Sequence, residues 1–366
     1  MSSGDILLVP DLALEHWPSM DRYADAIARR VPRVRVPGEA ASMSGARYLA
    51  RYVRYPRALA RYHPKIVHVA DHSYAHCLRA FAGVPSVVTI HDLFPMHVLD
   101  RHERSPRALV RDAVLNRVIA WIRRADLLIA VSRFTADEAT RLLGIAPDRM
   151  RVACNGVDEK FFTRPAEAAI AACRAGWSSR TGGRTDVRTA FVLNVGSCVP
   201  RKNVEGVIAA MAELKRRRIN ATLVQIGGRF TIPQRREIER AGIADAVIQE
   251  PRVGEEMLIA AYHAADLLLF PSHYEGFGLP ALEAMAAGLP VVTSGSGGLA
   301  EAVGDAAVIV NPAEPARLAD AMQRILDARD ARDALKARGI IWARGFTWDV
   351  SAAAHARVYE ELMGAA

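Results

Sequence analysis

Residues 275–283 are the clearest candidates for binding or catalysis, because two carboxylates lie there with seven residues between them. An apolar run at 265–270 precedes this loop and helix-forming residues at 281–287 follow it, so the pattern predicts a strand, the loop and then a helix. Glu275 at the loop mouth and Glu283 on the first helical turn can accept hydrogen bonds from two parts of one polyhydroxylated ligand. The alternative is a loop whose glutamates are only solvated.

The backbone of this loop is suited to an anion. Gly276 and Gly278 allow conformations and close approaches that a side chain would forbid. Pro280 fits the first turn of a helix, and the amides beyond it are unpaired at the helix start. A phosphate would bind there without a metal, next to the main chain of Phe277 and Leu279. The alternative is that the glycines only close a turn.

A second phosphate-binding candidate runs from Gly196 and Ser197 to Arg201 and Lys202. The glycine ends a predicted strand and the cations begin a predicted helix, which is where a parallel sheet has its ligand crevice. Charge-assisted hydrogen bonds contribute about 1.5–3 kcal/mol each, against about 0.3–1 kcal/mol for a helix dipole. We therefore expect the two side chains to dominate the affinity for a diphosphate. The alternative is a surface Arg-Lys pair, which the helix dipole would disfavour at this end.

One histidine also follows directly on a predicted strand. His91 and Asp92 come after the apolar run that ends at Ile90. A histidine at such a strand end can contact a ligand hydroxyl or act as a base, and a capping or core role is the alternative.

Two basic stretches lie in the first half of the chain. Arginines recur every three or four residues between 47 and 61, including Arg51 and Arg54, and tyrosines lie among them. Such a surface suits an anionic membrane or an acceptor, although Pro56 interrupts the helix and a solvated basic face is the alternative. Arg104 belongs to a second stretch and is a candidate for an acceptor loop.

Apolar runs of strand length alternate with segments of helix length through both halves of the chain. They lie at 6–9, 34–36, 66–69, 87–90, 127–131, 191–195, 222–226, 247–248, 267–270, 291–293 and 308–310. This alternation predicts two α/β domains, each a doubly wound parallel sheet covered by helices on both faces. Ligands are then expected at the carboxyl ends of the strands.

The length of 366 residues also indicates two domains, because it exceeds the usual size of a single core. We place the first domain at 1–165, a linker at 166–188 and the second domain at 189–345. The last segment, 346–366, is an amphipathic helix that needs an apolar surface to pack against.

Composition limits the class of protein. Hydrophobic residues make up 51% and charged residues 24%, which is ordinary for a globular protein. There is no apolar run of membrane-spanning length and no secretory leader, and the four cysteines have neither metal nor disulfide spacing, so we expect a cytoplasmic protein with reduced thiols. The net charge of +8 favours polyanionic partners. Nucleic acid is the least favoured of these, since no zinc-finger spacing or aromatic RNA-binding motif accompanies the charge.

The stretch from Phe270 to Val292 resembles the signature of the retaining family 4 glycosyltransferases, which have the GT-B fold. The resemblance continues through 200–203 and 297–304, and the segments 155–158 and 346–348 also fit it. It is strong over about residues 190–310. It implies two Rossmann-like domains facing a central cleft, the first for the acceptor and the second for a nucleotide sugar, with the last helix packing back on the N-terminal domain.

The resemblance also implies roles for individual residues. Arg201 and Lys202 would hold the donor diphosphate, Glu283 the ribose, and Glu275 with the backbone of 276–279 the transferred sugar. His91 matches a histidine that meets the sugar. Many relatives carry Arg where this chain has Ser197, so Arg201 would supply that charge. No metal cofactor is implied, and we expect Arg252 and Val253 to approach the base.

The sequence therefore predicts transfer of a hexose from a UDP- or GDP-sugar to a hydroxyl of a glycan or lipid-linked acceptor, with retention of configuration. Peripheral contact with the inner face of the membrane stays open. The alternatives are a sugar-nucleotide epimerase or phosphorylase on the same architecture, or a basic membrane- or nucleic-acid-binding protein without activity.

Overall fold

A computed structural model of the protein describes residues 5–98, 106–181 and 189–365. These residues form two compact units. The first ends at Gly156 and takes up the chain again from Trp348, and the second is Val157–Thr347. The predicted linker, 166–188, is different in the structure, because its first part forms the helix Glu167–Arg180, which buries Ile170, Cys173 and Trp177. Its last part, 182–188, lies outside the described residues.

The first unit is built on a parallel sheet of six described strands. These are β1 Ile6–Val9, β2 Val34–Arg35, β3 Ile66–Val69, β4 Ser86–Ile90, β5 Leu127–Ala130 and β6 Met150–Val152. Their spatial order is β2-β1-β3-β4-β5-β6. The chain first builds outward from β1 to β2 and then returns to the other side of β1, so the strand order reverses between β1 and β3. In open parallel sheets this reversal is where ligands bind.

Helices cover the sheet of the first unit. They are α1 Pro18–Arg30, α2 Glu39–Ser42, α3 Arg47–Leu49, α4 Tyr55–Leu59, α5 Pro106–Ile122 and α6 Arg133–Leu143. Between α3 and α4 the helix widens into a π-helical turn, Ala50–Arg54, and Pro56 lies at the start of α4. The helical run therefore continues from Arg47 to Leu59 and accommodates Pro56 by widening before it, so the predicted interruption at Pro56 is not found.

The second unit repeats the design with a different strand order. Its strands are β7 Ala190–Val195, β8 Ala221–Ile226, β9 Val247–Glu250, β10 Leu267–Phe270, β11 Val291–Thr293 and β12 Val308–Ile309. They are all parallel in the order β12-β11-β10-β7-β8-β9. The order reverses between β7 and β10, which contribute the two predicted phosphate-binding segments. The prediction of doubly wound parallel sheets is confirmed.

The helices of the second unit begin with the former linker helix. They are α7 Glu167–Arg180, α8 Val204–Arg216, α9 Ile232–Arg240, α10 Glu255–Ala264, α11 Leu279–Ala286, α12 Leu299–Val303, α13 Pro315–Asp327 and α14 Arg329–Ala343. No helix within the described residues has the length and apolar character needed to cross a membrane.

The last helix, α15 Trp348–Ala365, belongs to the first unit and packs on α1. Its buried side chains Trp348, Val358 and Leu362 join an apolar cluster with residues of α1 and β1. An ion pair between Arg30 and Asp349, 2.8 Å long, lies at the edge of this contact. The apolar surface that this amphipathic helix needs is thus provided by the first unit.

A buried chain of hydrogen bonds also attaches this helix to the sheet. Its side chains are Tyr359, His68, Thr89, Tyr23 and His355. Burial lowers the pKa of His355 to about 4, so its ring is neutral near neutral pH. Nδ1 of His355 donates to the carbonyl of Ser351, so its Nε2 must accept from Tyr23. The hydroxyl of Tyr23 then accepts from that of Thr89, which in turn accepts from Nε2 of His68. Nδ1 of His68 accepts from the hydroxyl of Tyr359, so each donor of this chain makes one hydrogen bond.

Candidate functional site

The strand reversal of the second unit lies between β7 and β10, and a buried amide links the two strand ends. Nδ2 of Asn194, the next-to-last residue of β7, donates to the carbonyl of Leu269 on β10 at 2.7 Å. Beyond these strands the chain enters the loops that hold the predicted cations and the predicted carboxylate. The two loops therefore leave one edge of the sheet side by side.

The cations lie on a short 3₁₀ turn, Pro200–Lys202, that Asn203 fixes in place. Asn203 adopts a left-handed conformation and caps α8, with its Oδ1 accepting from the amide of Gly206 at 3.1 Å. Its Nδ2 donates to the carbonyl of Pro271, directly after β10, and to that of Pro312. Asn203 thus holds the cationic turn against the end of β10. Asparagine is a common helix cap, so the sequence indicates its bond to Gly206 but not its bonds to Pro271 and Pro312.

Arg201 and Lys202 both bind Glu275. Nζ of Lys202 lies 2.6 Å from Oε1 of Glu275, and Nη1 of Arg201 lies 3.1 Å from Oε2. Arg201 also donates to the carbonyl of Tyr274 at 3.3 Å, and the ammonium of Lys202 lies 4.8 Å from the centroid of the Phe270 ring. The structure thus brings two neighbouring cations together with a carboxylate more than 70 positions further along the sequence. We call them the ionic triad.

The ionic triad has a formal charge of +1 in a partly desolvated place. Glu275 is 6% exposed, and the side chains of Lys202 and Arg201 are 12% and 23% exposed. Ion pairs in such surroundings are weakly screened, and a carboxylate that uses both oxygens on two cations keeps them oriented. A ligand with several anionic oxygens can replace that carboxylate as their partner.

Gly196 lies beside Lys202. It has a φ of +145°, donates its amide to the carbonyl of Ile226 at 2.8 Å and accepts from the side chain of Gln225 at 2.8 Å. A methyl group added at Gly196 would lie 3.5 Å from Cε of Lys202. Glycine is therefore favoured by its backbone conformation and brings the main chain next to the ammonium. Ser197 is exposed.

The loop after Glu275 has the predicted form of strand, loop and helix. Gly278 has a φ of +129° and precedes α11, and a Cβ there would lie 2.5 Å from Cδ1 of Leu299. Pro280 lies in the first turn of α11, as predicted. Phe277 is buried, and its ring centroid lies 5.8 Å from that of Phe346. Gly276 is buried, and Leu279 begins the helix.

Glu283 is held by a residue of the preceding helix, α10. It is 4% exposed, and its Oε2 accepts a 2.8 Å hydrogen bond from the hydroxyl of Tyr262 on α10. Nothing in the sequence around Tyr262 signals this contact. Arg252 is exposed and Val253 is partly exposed in the loop after β9. β9 is the edge strand, with β8 between it and β7, and these two residues lie at the same carboxyl edge of the sheet as the ionic triad.

The remaining predicted residues lie in the first unit. Nε2 of His91 donates to the carbonyl of Ala70 at 2.8 Å, and its pKa is lowered chiefly by burial. Asp92 follows it and accepts from the amide of Phe94 at 3.2 Å. Both therefore lie at the carboxyl edge of the first sheet, as predicted.

The arginines of the first basic stretch do not form one exposed face. Arg51 points inward, where it donates to the carbonyl of Ser73 at 2.8 Å and lies over the ring of Tyr74. Arg54 is exposed and donates to the carbonyl of Ser44 at 2.6 Å. Arg51 is therefore not part of an exposed basic face, and its predicted role in binding an acceptor or a membrane stays a prediction. Arg104 lies outside the described residues.

Comparison with known proteins gives the family. Residues 11–161 match the model for Glycosyltransferase Family 4, and residues 178–342 match the model for Glycosyl transferases group 1. The D-inositol 3-phosphate glycosyltransferase of Acidothermus cellulolyticus is 33% identical over 77% of this chain, which spans 63% of that relative's length. The glycogen synthase of Mycobacterium tuberculosis is 36% identical over 81% of this chain and 68% of its own.

A solved structure supports the fold over the whole chain. The structure of Anabaena Alr3699/HepE in complex with UDP-glucose has a TM-score of 0.76 and 17% identity, covering 97% of this chain and 99% of that one. At this identity the likeness shows the fold alone, which is GT-B. The family matches in both halves and the identity to the mycobacterial enzyme together show that this chain belongs to the family 4 glycosyltransferases.

Proposed function

We propose that the protein transfers a hexose, such as mannose or glucose, from a UDP- or GDP-sugar to a hydroxyl of a glycan or lipid-linked acceptor, with retention of configuration. The observation that carries this proposal is the ionic triad at the strand reversal of the second unit. Two cations meet there beside a glycine loop and a helix N-terminus. That combination suits the diphosphate of a nucleotide sugar.

The donor diphosphate takes Arg201 and Lys202 as its partners. Arg can present two parallel N–H groups to phosphate oxygens, whereas Lys supplies a compact charge. Both are bound to Glu275 in the structure, so the phosphate oxygens compete with this carboxylate. Once released, Glu275 can accept hydrogen bonds from the hydroxyls of the transferred sugar, and Glu283 those of the ribose.

Catalysis rests on the charge that develops as the donor breaks. The bond between the anomeric carbon and the phosphate oxygen breaks while a bond to the acceptor oxygen forms, and the nucleoside diphosphate leaves with added negative charge. Preorganised cations stabilise this charge more strongly in the transition state than in the ground state. A departing phosphate oxygen accepts the acceptor's proton on the same face of the sugar, which retains the configuration. Two side-chain cations then neutralise the charge that a divalent metal would otherwise neutralise, so we propose that the reaction requires no metal ion.

The names of the relatives agree with this assignment. One solved neighbour is described in complex with UDP-glucose, and the curated relatives include an inositol phosphate glycosyltransferase and a glycogen synthase. The base, the sugar and the acceptor of this protein are what the experiment must identify.

The test is release of nucleoside diphosphate from a panel of UDP- and GDP-sugars in the presence of candidate acceptors. We expect Arg201→Ala and Lys202→Ala each to lower kcat/KM by about 10²–10³, which is typical for removal of one preorganised donor. Lys215→Ala is the matched control, because Lys215 lies in the last turn of α8 and forms an exposed ion pair with Asp245. Near-normal turnover in the double variant Arg201→Ala, Lys202→Ala would overturn the proposal.

A further inference from the structure

Three amide side chains lie in a row across the second sheet, each on the next-to-last residue of its strand. Asn194 of β7 pairs in register with Gln225 of β8, which pairs with Gln249 of β9. Because the strands are parallel, these side chains share one face of the sheet. Each donates to a main-chain carbonyl, and these carbonyls belong to Leu269, Gly196 and Gly228, respectively. The row therefore ties the main chain together at the carboxyl edge.

Gln225 is fully buried, and only one end of its amide is bonded. It is 0% exposed. Its Nε2 donates to the carbonyl of Gly196 at 2.8 Å and to that of Ile226 at 3.3 Å. Its Oε1 is enclosed and has no hydrogen-bond partner in the part of the chain that the structure describes. An apolar side chain would avoid the cost of burying that oxygen. A residue that costs stability in this way is expected to serve a functional site.

The main chain of Gly196 is bonded to β8 through both of its polar groups. Its amide donates to the carbonyl of Ile226 at 2.8 Å, and its carbonyl accepts from Gln225. The turn after β8 packs against the same segment, because a Cβ at Gly228 would lie 2.9 Å from Cα of Ser197. The first turn after β7 is thus supported from the side of β8.

This support fixes the direction of the next amide. The peptide bond between Gly196 and Ser197 is trans, so the N–H of Ser197 points away from the carbonyl of Gly196. That carbonyl faces β8, and the N–H therefore faces β10, the other neighbour of β7. Ser197 is exposed, and its N–H has no acceptor among the described residues. Gln225 thus directs an unused main-chain donor toward the loop that follows β10.

The ionic triad lies on that side of the turn. A Cβ at Gly196 would lie 3.5 Å from Cε and 3.8 Å from Nζ of Lys202, so the ammonium lies against the same main chain. The same Nζ binds Glu275, in the loop after β10, at 2.6 Å. A phosphate that takes this ammonium from Glu275 therefore comes next to the N–H of Ser197. A main-chain amide makes a charge-assisted hydrogen bond to such an anionic oxygen.

We infer that the main-chain N–H of Ser197 binds the donor diphosphate, and that Gln225 is the residue that positions this N–H. The inference rests on the proposed function. It gives position 197 a contact with the phosphate through the main chain, whichever side chain lies there. Because Gln225 orients the N–H before the donor binds, the donor finds a preorganised group beside the two cations.

The test titrates the full chain with inorganic pyrophosphate, by NMR and by isothermal titration calorimetry. In protein labelled with ¹⁵N-serine, the amide signal of Ser197 is assigned by its loss in Ser197→Ala. We expect this signal to move downfield at saturating pyrophosphate, because its hydrogen becomes bonded to an anionic oxygen. Gln225→Met has a similar volume without the amide, and should weaken pyrophosphate binding about tenfold or more. It should also reduce the downfield shift, which a loss of stability alone would not do.

Gln323→Met is the matched control, because Gln323 lies on α13 and its amide oxygen accepts from Arg217, beyond the last residue of α8. This variant should bind pyrophosphate like the unmodified chain. Thermal unfolding shows whether Gln225→Met is folded, and if it is not, the response of Ser197 in the unmodified chain decides the question.

The inference fails if the Ser197 signal does not respond to saturating pyrophosphate, or if folded Gln225→Met binds pyrophosphate normally. It also fails if Gln323→Met weakens binding as much, or if pyrophosphate does not bind the unmodified chain. Failure of the proposed function is a separate result. If Arg201→Ala and Lys202→Ala lose turnover while the Ser197 signal is unresponsive, only this inference is refuted, whereas near-normal turnover in their double variant refutes the proposed function itself.

Discussion

Replacement of Glu275 by glutamine should strengthen the binding of diphosphates while it abolishes most turnover. In the structure the carboxylate of Glu275 holds both cations, with one oxygen on Lys202 and the other on Arg201. A diphosphate that takes these cations must displace the carboxylate. The amide of Glu275→Gln competes less well, since a neutral acceptor makes weaker hydrogen bonds to cations.

The size of the effect follows from those two contacts. Hydrogen bonds to charged groups contribute about 1.5–3 kcal/mol each, against about 0.5–1.5 kcal/mol for neutral ones. The carboxylate binds the two cations with its two oxygens, whereas glutamine has one acceptor oxygen, so the diphosphate has one charge-assisted hydrogen bond fewer to displace. This corresponds to about 1.5–3 kcal/mol, or about ten- to 150-fold in Kd. The variant without ligand should also be less stable by about 3 kcal/mol, because two largely desolvated cations lose their counter-ion.

Isothermal titration calorimetry with inorganic pyrophosphate is the most direct assay, because it does not depend on the base. Glu237→Gln is the matched control, since Glu237 lies on the exposed face of α9 in an ion pair with Arg240. Pyrophosphate should bind Glu275→Gln more tightly than the unmodified protein, and thermal unfolding should show the loss of stability without ligand. Equal or weaker pyrophosphate binding by Glu275→Gln would refute the idea that carboxylate and diphosphate share the same cations.

Three further outcomes are expected. Gly278→Ala should destabilise the protein by about 1–3 kcal/mol in chemical denaturation, because its φ is +129° and its Cβ would lie 2.5 Å from Leu299. Tyr262→Phe should lower the free energy of unfolding by about 1–3 kcal/mol, since buried Glu283 loses a donor. The third concerns His355, whose pKa is lowered to about 4. Between pH 6.5 and 4 the unfolded chain binds a proton that the folded chain does not, so the free energy of unfolding should fall with decreasing pH, by up to about 1.4 kcal/mol per unit. His355→Gln should have a shallower pH profile.

Each of these outcomes has its own control. Gly176→Ala adds a methyl group on the exposed side of α7, where nothing lies within 4 Å, so it should not lower the stability, and an equal loss there would contradict the argument for Gly278. Tyr48→Phe removes an exposed hydroxyl, and a cost as large as that of Tyr262→Phe would mean that the buried bond is not the cause. If His355→Gln follows the same pH profile as the unmodified chain, the buried imidazole is not what titrates.

The sequence is most informative where local signals coincide. At 275–283 an apolar run, two glycines and a proline at a helix start all constrain the same few residues, and the structure has the predicted strand, loop and helix. β6 was missed because Met150–Val152 is short and not fully buried, so it lacks an apolar pattern. The helix at Glu167–Arg180 was assigned to a linker because its Ala, Gly and Ser content gives a weak amphipathic pattern.

Long-range contacts are what the sequence does not show. Tyr262 and Glu283 are 21 residues apart, and His68 and Tyr359 are 291 apart. No period or motif links such pairs, because they meet only after the sheet and its covering helices have formed. Arg51 shows the same limit on a shorter scale, since helical spacing predicts an exposed face, whereas its guanidinium donates to the carbonyl of Ser73 and lies over the ring of Tyr74.

The two sheets place opposite electrostatics at the same topological position. In the second unit the reversal carries Arg201 and Lys202 against one carboxylate, which leaves a positive charge. In the first unit it carries the ionised Asp71, a protonated Asp11 and the neutral imidazole of His91. Two unit charges 4 Å apart interact by about 4 kcal/mol at an effective dielectric of 20. A diphosphate beside the ionic triad is attracted by its net positive charge, whereas at the first reversal it meets the ionised carboxylate of Asp71. The reversal of the second unit is therefore the better of the two for a diphosphate, which agrees with the place proposed for the donor.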